Sequence, residues 1–103
     1  MSKILCIGEA LIDMICTDKG NTLSEGDHFL KKAGGAPANV AAAVAALGGQ
    51  VVLAAKVGGD PFGQYLVEMM NGFGVDTTYM LRDPAHFTTF TFVLLKKNGE
   101  RNF

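Results

Sequence analysis

The stretch AGGAPANVAAAVAALGG, Ala33 to Gly49, decides the fold. It opens on a glycine pair, passes through Pro37 and Asn39, and then runs almost wholly on alanine and valine. Pro37 at a first helical position and Gly48-Gly49 beyond the end predict a helix from about Ala36 to Leu47. Two glycines directly before a helix permit unusual backbone angles and let a ligand approach the main chain unobstructed. The helix start adds unpaired N–H groups and a partial positive charge. Asn39, in the first turn, supplies both a donor and an acceptor, which suits a hydroxyl-rich ligand better than a bare anion. A plain strand-to-helix turn accounts for Gly34-Gly35 equally well at this point.

Upstream of that helix, KILCIG (Lys3 to Gly8) reads as a short buried strand, and ALIDMIC extends it with Asp13 at its centre. A polar loop, TDKGNTLSEGD, leads to a second short strand in HFLKKAGG. Downstream, VVLAAKVG reads as another buried strand. In DPFGQYLVEMMNGFG, Asp60 is a good N-cap and Pro61 suits the first turn. Phe62, Tyr65 or Leu66, Met69 and Met70 then recur at helical spacing, and Gly72 and Gly74 close the helix. VDTTYML is a strand candidate. TTFTFVLLKKNGERNF alternates aromatic and polar residues up to Asn98-Gly99, a strong hairpin signal.

Strand, helix, strand, helix, strand is the rhythm of an α/β fold with a parallel sheet covered by helices. Two hairpin-like segments, around Asp13 to Ala33 and Phe87 to Phe103, break that rhythm and predict a second, smaller sheet. Only Glu100 to Phe103 follow the Asn98-Gly99 turn, so the last arm is a stub with unpaired backbone groups. The chain therefore reads as the first part of a longer protein.

At 103 residues the chain suits one domain with a modest core. Hydrophobic residues at 49% and charged residues at 18% place it among globular sequences. Nine basic against ten acidic side chains leave a net charge of -1. That balance offers no electrostatic argument for a nucleic-acid or membrane-surface partner. Cys6 and Cys16 lack a CxxC pattern and read as buried thiols of a reducing cytoplasm. His28 and His86 stand alone and read as structural. Glu9 and Asp13 interrupt the N-terminal apolar run before it could serve as a signal peptide. The uncharged stretch from Ala33 to Ala55 is broken by glycine pairs, Pro37, Asn39 and Gln50, which argues against a membrane span. A soluble, cytoplasmic protein is expected.

Two nucleotide motifs fail. Gly8-Glu9-Ala10 lacks the second glycine of the dinucleotide fingerprint, and GGDPFG (Gly58 to Gly63) lacks the lysine and hydroxyl residue of a P-loop. Asp60 in that motif reads as a helix cap. Spacing alone supports no catalytic triad and no paired-carboxylate site. Lys31-Lys32 and Lys96-Lys97 read as solvated edges that discourage strand pairing.

GGAPANVAAAVAALGGQVVLAAKVG, Gly34 to Gly58, closely resembles the first signature of the ribokinase-like, phosphofructokinase-B type carbohydrate kinases. The resemblance rests on Gly34, Gly35, Pro37, Asn39, Ala41, Gly48 and Gly58, with IGEALIDMI, GGDPFG and NGERNF in support. It covers nearly all of the chain and is most like the fructokinases of that family. It implies a mostly parallel sheet flanked by helices, of which residues 1-103 form the N-terminal part. Segments about 10-33 and 87-103 would belong to a small β-sheet lid that closes over the sugar. It further implies phosphoryl transfer from ATP, with Mg2+, to a sugar hydroxyl, most plausibly of fructose, and a possible homodimer through the lid. On this resemblance Asp13 accepts hydrogen bonds from sugar hydroxyls. Gly34 and Gly35 approach the sugar through their backbone, and Asn39 bonds another hydroxyl. Phe90, Thr91, Arg101 and Phe103 shield or touch the sugar from the lid. The family's second signature, with the catalytic aspartate and the nucleotide pocket, has no counterpart here. The other open reading is a non-catalytic half-domain that binds or assembles with another chain.

Overall fold

The computed structural model describes residues 3–96 and residues 101 and 102. Nine elements follow one another: β1 (Lys3–Ile7), β2 (Leu11–Cys16), β3 (Phe29–Gly34), α1 (Ala36–Ala46), β4 (Gln50–Gly58), α2 (Pro61–Gly72), β5 (Met80–Asp83), β6 (Phe90–Leu95) and β7 (Arg101–Asn102). They build two sheets, a three-stranded one in the order β1-β4-β5 and a four-stranded one in the order β3-β2-β6-β7. The first is parallel throughout, as the alternation of strands and helices requires. The second gathers both hairpin-like segments into one separate sheet, as predicted, but with four strands against three it is the larger and not the smaller of the two.

The three-stranded sheet has one covered face. Cys6, Val51, Leu53 and Val57 lie under α1 and α2 and pack with Ala38, Ala41, Leu66 and Met70. The alanines of α1 let its axis sit close to β4 and β1. The opposite face carries Leu5 and Ile7 of β1, Val52 and Ala54 of β4, and Leu81 of β5, which the register brings side by side. Ile7 is 71% exposed and Leu81 60% exposed. Parallel sheets are normally covered on both faces. This one is covered on one.

Helix boundaries follow the punctuation of the sequence. Helix α1 ends at Ala46, with Leu47 as its C-cap directly before Gly48-Gly49, and Asp60 caps α2 by accepting from the Gly63 N–H. One strand is shorter than the pattern suggested. Of VDTTYML, only Met80 and Leu81 enter β5, while Asp76 makes a lone bridge with Val52. The Asp76 carboxylate accepts from both the N–H and the hydroxyl of Thr78, and that local turn competes with an extended backbone. The Asn98-Gly99 turn lies outside the described residues. Its two flanks pair in antiparallel register, Leu94 with Asn102 and Leu95 with Arg101.

The layers are joined where α2 begins. Asp60 Oδ1 accepts from the Thr88 hydroxyl (2.6 Å) and Oδ2 from the Thr88 N–H (2.8 Å). Thr88 Oγ1 in turn accepts from the Gly58 N–H at 3.0 Å. Phe62 of α2 also meets Phe90 of β6 edge-on at 4.8 Å.

Two stability outcomes are expected. Leu53 is fully buried between β1, α1 and α2, so Leu53→Ala should lower the unfolding free energy by about 2–5 kcal/mol in a denaturant titration. The hydroxyl and then the N–H of Thr88 hold the Asp60 carboxyl below its ordinary value of 3.8. A depressed folded value stabilises above the unfolded one, and that stability is lost as pH falls through the folded value. The stability gap between wild type and Asp60→Asn should thus be full at neutral pH and shrink below about pH 4.

Candidate functional site

Strand β2 lies inside the four-stranded sheet, so Asp13 has a neighbour on each side: Lys32 on β3 and Thr91 on β6. Paired residues share a face, which places all three side chains on the same surface of that sheet. The Thr91 hydroxyl donates to Asp13 Oδ1. An acid next to the buried Ile12 needs such a partner to offset desolvation.

The glycine pair has two separate tasks. Gly34 lies diagonally across from Asp13, and a Cβ there would run into the Asp13 carboxylate. The bare Cα of Gly34 is thus the space in which the carboxylate sits. Gly35 has φ +97°, and a Cβ on it would fall 2.6 Å from the Glu9 carbonyl oxygen. A turn alone explains Gly35 and leaves Gly34 unexplained. Gly35 is also the N-cap of α1, with no side chain hydrogen-bonded to the helix start and Pro37 in the first turn. A carboxylate, the main chain of a glycine pair and a helix N-terminus therefore adjoin one another.

The remaining predicted residues are distributed differently. Asn39 is exposed on α1 and lines a hollow of about 440 Å³ with Lys31, Lys32, Ala33, Tyr65 and Met69 among others. Asp13 does not line that hollow, and Lys32 borders both places. Phe90 neighbours Thr91 along β6 and therefore points to the opposite face, where it packs on Phe62 and the core around Ile12. The backbone of Arg101 belongs to β7. Phe103 lies outside the described residues.

Some contacts escaped the sequence reading. Lys31, expected as a solvated edge residue, places its Nζ 3.8 Å from the centre of the Tyr65 ring and so ties β3 to α2 by a cation–π contact. Thr88 carried no local pattern, because its partner Asp60 is 28 residues away. Each histidine has a surface carboxylate: His28 Nδ1 lies 3.0 Å from Asp18, and His86 Nδ1 lies 2.6 Å from Asp83. The N–H groups of Asp27 and His28 hold the Asp18 carboxyl below its usual range, and the N–H of Ala85 does the same for Asp83. Among the described residues no three of His, Cys, Asp and Glu gather as metal ligands.

The sequence matches the pfkB family of carbohydrate kinases over residues 1–103. It is 45% identical over 100 residues to a protein named probable fructokinase-3 from Arabidopsis thaliana, covering 97% of this chain and 29% of that protein. A fructokinase from Xylella fastidiosa superposes with a TM-score of 0.84 at 44% identity, covering 98% of this chain and 31% of that one. An uncharacterised sugar kinase from Pyrococcus horikoshii, solved in complex with ATP, gives a TM-score of 0.88 at 44% identity, covering 97% and 32%. The chain spans less than a third of the length of each of these relatives. Matched from end to end, with its glycine pair and first helix in place, the chain belongs to the pfkB family of carbohydrate kinases.

Proposed function

We propose that this chain supplies the sugar-binding carboxylate and part of the lid of an ATP-dependent sugar kinase whose substrate is fructose. The observation that carries the reading is the seating of Asp13, whose carboxylate lies over the bare Cα of Gly34 and is oriented by Thr91. A carboxylate offers about four acceptor positions, and Thr91 takes one. Sugar hydroxyls are the natural donors for the others. The main chain at Gly34-Gly35 and the start of α1 would meet the same sugar, and Asn39 would close on it from the adjoining hollow. By the same family resemblance, Arg101 and Phe103 would help to shield the sugar.

Phosphoryl transfer depends on positioning and on charge stabilisation at the transferred group. The nucleotide pocket, the metal ligands and the base that takes the hydroxyl proton would come from the rest of a longer protein. The names of the relatives support fructose, and the solved complex with ATP supports the donor. The uncovered face of β1, β4 and β5 supports further chain or a further subunit packed there. That same face favours the second reading, a half-domain completed by another polypeptide. The mass of the product in its native extract separates the two: a species about three times longer supports the kinase.

The decisive assay is ATP-coupled turnover of the full-length protein over fructose, ribose, 2-keto-3-deoxygluconate and nucleosides, with fructose expected to give the highest kcat/KM. Asp13→Asn should lower kcat/KM for fructose by about 10- to 100-fold, the worth of hydrogen bonds to a charged group. Gly34→Ala should do the same by displacing the carboxylate, with the melting temperature showing how much fold is lost. Wild-type efficiency of Asp13→Asn on every sugar would remove this residue from the site.

A further inference from the structure

Asp60 does more than begin a helix. Capping α2 uses one carboxylate oxygen, which serine or threonine could supply equally well. Here Oδ1 takes both the Gly63 N–H (2.8 Å) and the Thr88 hydroxyl, and Oδ2 is given wholly to the Thr88 N–H. Thr88 is 3% exposed and every polar atom of its hydroxyl is engaged, toward Asp60 as donor and toward Gly58 as acceptor. The bonds therefore fix one residue of the connection into β6 from two directions.

What lies beyond Thr88 is the lid. The carbonyl of Thr89 accepts from the Ile12 N–H at 2.9 Å, and two residues later Thr91 stands opposite Asp13 and donates to it. A short run of hydrogen bonds thus leads from the start of α2, in the helix-covered layer, to the carboxylate on the lid. We propose that Asp60 and Thr88 are positioning residues: they set where β6 enters the lid, and so hold Thr91 and Asp13 in the geometry that receives the sugar. Its catalytic consequence rests on the kinase reading above. Its structural core does not.

The test uses Thr88→Val, which keeps the volume and the backbone N–H, in the full-length protein. Fructose KM should rise about tenfold with ATP KM unchanged, since a small displacement of binding groups acts on one substrate. Thr88→Ser should restore fructose KM to within about twofold, because its hydroxyl makes the same bonds. Asp60→Ser, which retains the cap, should reproduce the Thr88→Val effect. In a Thr91→Val background, Thr88→Val should add little further, as residues acting through one contact are not additive. Hydrogen exchange gives a readout independent of substrate, with faster exchange of amides 90–95 and 11–16 expected in Thr88→Val. A lower melting temperature with unchanged fructose KM and unchanged exchange would reduce the pair to ordinary packing. Faster exchange in a protein that phosphorylates no sugar would instead overturn the kinase reading and leave the latch standing.

Discussion

Everything at the candidate site depends on β2 lying between two partners. Paired antiparallel to β3 and parallel to β6, it brings one acid against residues from two distant parts of the chain. Asp13 and Thr91 are 78 residues apart, yet the hydroxyl reaches the carboxylate because parallel register sets them level. On the other flank, Gly34 makes room that no other residue could provide. Were β2 an edge strand, the acid would be half-solvated and free to turn to water. As an inner strand it is held.

Parallel pairing also explains how two sheets share one short chain. Strand β2 follows β1 after only three residues, so the chain leaves the helix-covered sheet almost at once and starts the second one. It returns through β3 to α1, with Gly35 turning the backbone sharply beside Glu9. The second departure comes after β5, and Thr88 sits at that crossing under the hold of Asp60. The two crossings are held by different means. The first relies on backbone freedom at one glycine, the second on a carboxylate shared between a helix cap and a threonine.

Much of this was legible from local pattern. Proline and glycine punctuation located both helices, and alternation located most strands, because these signals act over a few residues. Asp13 stood out as an acid inside an apolar strand, and Gly34-Gly35 as a pair before a helix. The distinct reason for Gly34 was not legible, since it lies in the packing of a side chain 21 positions earlier. Nor were the Asp60–Thr88 bonds or the Lys31–Tyr65 contact, which join residues with no common period. Local Asx chemistry at Asp76 also shortened a strand that apolar content alone would have drawn longer.

The period of two along a strand sorts the residues around Asp13. On its face lie Lys32, Thr91 and the bare Gly34, flanked by the buried Leu11, Ile15 and Val93. On the other face lie Ile12, Ala33, Phe90 and, farther along, Met14 and Phe92, with Phe90 and Phe92 stacked at 6.5 Å. Phe90 and Thr91 are therefore unlike in role although adjacent in sequence. One anchors β6 on α2, and the other donates to the carboxylate. The same rule divides the two lysines of β3: Lys31 falls on the aromatic side and covers Tyr65, whereas Lys32 stands level with Asp13. A one-residue slip of β6 would exchange these faces, burying a hydroxyl among aromatics and presenting phenylalanine to the acid. A device that pins the entry to β6 thus protects more than one hydrogen bond. It keeps Thr91 on the face of Asp13 and Phe90 on the face that packs against α2.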